Sequence, residues 1–227
     1  MITVDLLDGG VRGLNSRLHD LPPDTNETAW KVVNPMGAHA VCAGLTLPLA
    51  VEVEGNVGYY CGGMNKDASI TVNGRVGTGC GENIMSGTIR VTGNASQAFG
   101  ASGHGGTVIV EGDAGSRCGI SMKGVDILVG GSVGHMSAFM AQAGHLLVCG
   151  DAGPDLGDSI YEAILYVRGK VASLGSDCVE KDMTPEHLAK VEELLARAGF
   201  DADPADFRRY GSARQLYNFK VDNAGSY

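Results

Sequence analysis

The chain has 227 residues, 44% of them apolar and only 6% aromatic, with a formal net charge of -9 and a pI near 5.0. That acidity argues against a nucleic-acid partner, whose phosphates select a basic face. No apolar stretch reaches the roughly 18 residues of a membrane span, and Asp5 and Asp8 interrupt any basic-apolar leader, so a soluble, cytoplasmic protein is expected.

Residues 1–31 read as an N-terminal arm and loop. Ile2, Val4 and Leu6 alternate as a short strand would. Arg12, Asn15, Arg17 and His19 follow, then the acidic stretch from Asp20 to Glu27, in which Pro22 and Pro23 prevent any helix from crossing. Trp30 is the only tryptophan. From Val32 to Leu49 a weak 19-residue phase predicts an irregular capping coil, with Met36 where a glycine is expected.

From Val51 to Val171 the chain repeats at a fixed interval of 19 residues. A glycine recurs at Gly55, Gly74, Gly93, Gly112, Gly131, Gly150 and Gly169. A valine precedes each by two residues, from Val53 to Val167, and an aliphatic residue precedes each valine by two, from Val51 to Leu165. This period of two within each copy is that of a strand with one buried face. Further glycines at Gly62, Gly81, Gly100, Gly119 and Gly157, with Ala138 and Ser176 in the other copies, mark a corner. Nineteen residues are too few for a βαβ unit and far too few for a propeller blade. Residues 32–178 are therefore predicted to form a right-handed parallel β-helix of about seven coils, an all-β fold. Cys42, Cys61, Cys80 and Cys118 are multiples of 19 apart, with Phe99 in the missing place, and read as a reduced, buried column.

One outward column turns from polar to apolar along the coils: Glu52, Thr71, Arg90, then Ile109, Leu128, Leu147 and Tyr166. Such a stripe needs a cover. Residues 179–227 form a C-terminal helical tail that offers one. Thr184, Pro185 and Glu186 make a helix start, Leu188, Val191, Leu194, Leu195 and Ala198 share a face, and Gly199 ends it. This helix is the favoured cover, with a partner subunit as the other candidate. Asp203 and Pro204 start a shorter helical turn, and Tyr210, Leu216, Tyr217 and Phe219 make the tail aromatic.

No constellation of catalytic residues emerges. The run Gly100 to Gly106 resembles a phosphate-cradling loop but lacks the Lys-Ser/Thr that follows one, and reads as a coil corner. His104, His135 and His145 fall in unlike phases of the repeat. Asp113 and Asp151 follow their glycines at a spacing foreign to the nine-residue calcium repeat. Ser102, Ser121 and Ser132 have no evident His-Asp partners. The chain alone is expected to hold no catalytic, cofactor-binding or metal-binding residue.

The units Gly74-Arg75-Val76-Gly77, Gly112-Asp113-Ala114-Gly115, Gly131-Ser132-Val133-Gly134 and Gly150-Asp151-Ala152-Gly153 resemble the GXGXG domain that ends the glutamate synthase large subunit. The resemblance covers roughly residues 30 to 175. With Arg12-Gly13-Leu14-Asn15 and Asp24-Thr25-Asn26-Glu27-Thr28 ahead of the coils, the chain is most similar to the free-standing GXGXG subunit of N-methylglutamate synthase. Classical glutamate synthase and formylmethanofuran dehydrogenase assemblies share the domain. The resemblance implies a non-catalytic role beside an amidotransferase-like subunit and a synthase subunit that carries FMN and an iron-sulfur cluster. A stand-alone carbohydrate-active β-helix enzyme is the competing class, disfavoured by few aromatics and by coils of constant length.

Overall fold

The computed structural model describes residues 1–216; the aromatic positions Tyr217 and Phe219 lie outside the described residues. The backbone elements begin with strand β1 (Ile2–Asp5), helix α1 (Leu6–His19) and strand β2 (Ala29–Val33). Seven strands follow, one per coil: β3 (Ala50–Glu54), β4 (Ser69–Asn73), β5 (Thr88–Val91), β6 (Thr107–Val110), β7 (Lys123–Val129), β8 (Ala143–Val148) and β9 (Ile164–Val167). Strand β10 (Cys178–Lys181), helix α2 (Pro185–Ala198), a 3-10 turn (Pro204–Asp206) and strand β11 (Arg208–Ser212) complete the order. All strands join one sheet, β1 through β9 in sequence and in parallel, then β11 antiparallel to β9 and β10 antiparallel to β11.

The register is the sequence period made physical. Val53 pairs with Val72, Ile70 with Ile89, Val91 with Val110 and Leu146 with Leu165. A second line of single bridges runs from Val57 through Val76, Ala95, Ala114, Val133 and Ala152 to Val171. The chain is thus a parallel β-solenoid of about seven turns, and the valine column from Val53 to Val167 is wholly buried along its axis. Each such side chain contributes about 1.5–3 kcal/mol when removed from water, which is how a core with so few aromatics holds.

The two glycine columns have different causes. At Gly62, Gly81, Gly100, Gly119 and Gly157 the backbone is left-handed, with φ between 62° and 69°, and Ala138 adopts the same corner at 58°. At Gly74 a Cβ would stand 2.5 Å from the Gly55 carbonyl oxygen one coil below, so that column exists because backbones touch.

Three expectations change at the ends of the solenoid. Residues 6–19 are not arm but helix α1, broken at Gly10 (φ 62°, ψ -179°) and finished before Pro22. Leu14 and Leu18 bury against the first coil, beside Trp30. Three glycines in fourteen residues hide this helix from any propensity argument, and packing overrides propensity. Second, the first coil is 21 residues long, because Trp30 pairs with Val51. Met36 therefore misses the glycine position, which Asn34 takes with φ 55°. Cys42 is also out of column: the Gly62 N–H donates to Val41 O where Gly81 donates to Cys61 O, so Val41 stands over Cys61 and Cys42 makes the left-handed corner. Third, the last coil is one residue short, with Leu156 bridging Leu174, so Gly175 rather than Ser176 follows Gly157.

Both open ends are closed. At the first coil the Asn15 amide donates to Ala40 O at 2.8 Å and accepts from the Cys42 N–H at 3.0 Å, and His19 Nε2 sits 2.8 Å from Ala43 O. Residues one helical turn apart thereby satisfy backbone groups that a next coil would have used. At the far end, β11 pairs with β9 and places the buried Tyr210 over the core. The tail is thus more than helical, since two of its segments extend the sheet.

Candidate functional site

The apolar stripe is covered from within the chain. Val191, Leu194, Leu195 and Ala198 of α2 bury against Ile109, Leu128, Leu147 and Tyr166, which are at most 2% exposed, and Phe207 completes this second core. Helix α2 is placed by Thr184 in extended conformation before Pro185, and it stops at left-handed Gly199, where the Phe200 N–H donates to Leu195 O.

Along one edge of this second core runs a polar network. Asp126 and His145 occupy the same outward column on β7 and β8, and Asp126 Oδ1 lies 2.8 Å from His145 Nδ1. The other Asp126 oxygen accepts from Arg197 Nη1 of α2 at 2.6 Å, and Arg197 also binds Glu193. Burial works to raise the Asp126 carboxyl, but the hydrogen bond from His145 and the Arg197 guanidinium outweigh it and hold the group below its usual range. The His145 ring stacks on Tyr166 with centroids 6.2 Å apart. The Tyr166 hydroxyl, pushed up to about 12 by burial, lies 2.8 Å from His187 Nδ1 on α2. His187 Nε2 meets the Arg209 guanidinium, which can only donate, a contact that selects the neutral ring with its proton on Nδ1. Burial first, and then the Arg209 charge, hold the His187 ring below the ordinary histidine range.

A cleft opens at each end of this contact. The wider one, about 380 Å³, lies under the C-terminus of α2 between Arg90, Glu111, Cys149 and Arg168. Its charged groups serve the fold: Arg90 donates to Ala198 O at 2.7 Å and to Glu111 at 3.0 Å, and Arg168 Nε donates to Cys149 O at 2.8 Å. Burial raises the Cys149 thiol despite Arg168, the opposite of an activated nucleophile. The second cleft is lined by His145, Tyr166, Glu186, His187 and Lys190.

The residues weighed from sequence take structural places. Gly100, Ser102 and Gly106 are left-handed corner positions. Asp113 and Asp151 belong to a ladder in which each side chain accepts from the N–H of the next coil: Asn56 from Arg75, Asn94 from Asp113, Asp113 from Ser132, Ser132 from Asp151 and Asp151 from Lys170. His135 lies 3.5 Å from Asp155, and His104 is exposed. Cys61, Cys80 and Cys118 are free and buried, with the Cys118 thiol pushed up to about 12 by burial. Among the described residues no three His, Cys, Asp or Glu side chains are placed to hold a metal ion, and no helix is long and apolar enough to cross a membrane. The sequence reading missed the Asp126–His145 pair, although its signal was present: the two lie 19 residues apart, one coil on the other.

No family model matches the chain. It is 54% identical over 228 residues to Protein GlxC of Rhizobium meliloti (strain 1021), an alignment that covers 100% of both chains.

Proposed function

The chain belongs to the family of Protein GlxC, and we propose that it is a non-catalytic structural subunit of a glutamate synthase-like complex. The complex we infer is N-methylglutamate synthase, which converts glutamate and methylamine to N-methylglutamate and ammonia. The observation that carries this reading is the Gly-x-Val/Ala-Gly unit, realised as a touching-backbone ladder from Gly74 to Gly169 and similar to the GXGXG domain of glutamate synthase. Asp113, Asp151 and Asp126 on its coils support it too, since they are engaged in bonds between coils or to α2. In this reading the chemistry resides elsewhere. FMN and an iron-sulfur cluster sit on a synthase subunit, glutamine or amine handling belongs to an amidotransferase-like subunit, and this chain sets the spacing between them.

A tagged chain expressed at its native level tests the proposal. The expected result is stoichiometric recovery of an amidotransferase-like subunit and a flavin- and iron-sulfur-carrying subunit. Recovery of the chain by itself from cells growing on methylamine would overturn it.

A further inference from the structure

The antiparallel pairing of β10 with β11 sets Lys181 directly opposite Arg209. Like charges facing each other across a strand pair are destabilising, and a chain of net charge -9 has no shortage of carboxylates to avoid it. Among the described residues, Glu162 accepts from Arg214 at both oxygens, at 2.7 and 2.9 Å, and Asp177, which feels the Lys181 charge, accepts from Ser212 Oγ and the Gln215 N–H. Lys181, Arg209 and Arg214 converge on one cleft of about 160 Å³, which Tyr161 and Ser212 also line. Arg209 Nε is one of two buried side-chain polar atoms among the described residues that lack a partner. An unpaired guanidinium N–H and a cross-strand cation pair in the same place are both costs, and one ligand chemistry removes them together.

We propose that this cleft is a binding site for a compact oxyanion, of the phosphate or short dicarboxylate class, held between Lys181 and Arg209 with Arg214 at its rim. The volume holds only a few waters' worth of ligand, so a nucleotide or a peptide does not fit. Arg209 presents its Nε–H as an open donor, and Lys181 supplies a point charge. The site lies on the two strands that close the solenoid, so its occupancy stabilises that end. The inference is independent of which complex the chain joins.

The test uses the full-length chain and its Lys181→Gln variant, with thermal unfolding and titration calorimetry in sodium phosphate, in succinate and in sodium chloride of matched ionic strength. Saturable stabilisation by phosphate, by succinate or by both, absent in chloride, is expected, and the preferred anion assigns the class. Lys181→Gln should unfold no earlier than the parent in chloride, because a repulsion is relieved, yet bind the anion at least tenfold more weakly. Stabilisation no greater than that of chloride, or equal in parent and variant, overturns the proposal. So does a variant that is destabilised alike in all three salts, since that is the mark of a purely structural lysine.

Discussion

Arg197 Nη1 on the last turn of α2 lies 2.6 Å from Asp126 Oδ2 on β7, so the helix is pinned to the sheet beside the stripe it covers. Asp126 is largely shielded, whereas the Arg197 side chain is 38% exposed, which limits what the pair contributes. Arg197→Ala should cost about 1 kcal/mol, with part of that loss disappearing at high salt. Urea unfolding at low and at molar salt measures it.

The apolar contact beneath that pair matters more. Leu128 is fully buried between the solenoid and α2. Leu128→Ala should destabilise by about 2–5 kcal/mol. Hydrogen exchange locates the effect: amides of Pro185–Ala198 should lose protection first, while those of β3 and β4 keep it.

Gly74→Ala tests the coil spacing. Its Cβ would meet backbone atoms of Gly55 and Asn56 at 2.5 to 3.0 Å, and neither can rotate away. Gly37→Ala meets nothing within 4 Å and carries only the strain of its positive φ. The first should cost several times the roughly 1 kcal/mol of the second, as read from their unfolding midpoints.

His187 makes the helix contact sensitive to pH. Its folded pKa lies below the ordinary value, so the unfolded chain binds the proton more readily and stability rises with pH. The contribution is complete above the ordinary histidine pKa of about 6.5 and fades as pH falls toward the lower folded value. Melting curves from pH 7.5 to 5.5 should show this loss, and His187→Gln should flatten the slope across that window.

Much of this architecture was legible because a 19-residue period forces equal residues onto equal places. Val72 over Val53 and Leu128 over Ile109 follow from spacing alone, and the apolar run from Ile109 to Tyr166 announced that something lay on it. The ends were less legible. Helix α1 is rich in glycine and is held by contacts of Leu14, Leu18 and Asn15 with the first coil, for Asn15 with residues 25 and 27 positions later. The offset of Cys42 came from extra residues near Pro35 and Pro48, which shift register without breaking the pattern. Asp126 with His145 required comparing different residue types in one column, and His187 with Tyr166 required knowing where α2 would dock.

In the proposed function the chain organises a complex without doing its chemistry. The most direct measurement is turnover of glutamate and methylamine by the amidotransferase-like and flavin-containing subunits, assayed with this chain added, with it omitted, and with this chain alone. The expected result is N-methylglutamate formation only when all three are present, with the purified chain colourless and inactive. Full turnover in its absence, or a flavin or iron chromophore and activity on the purified chain, would contradict the claim.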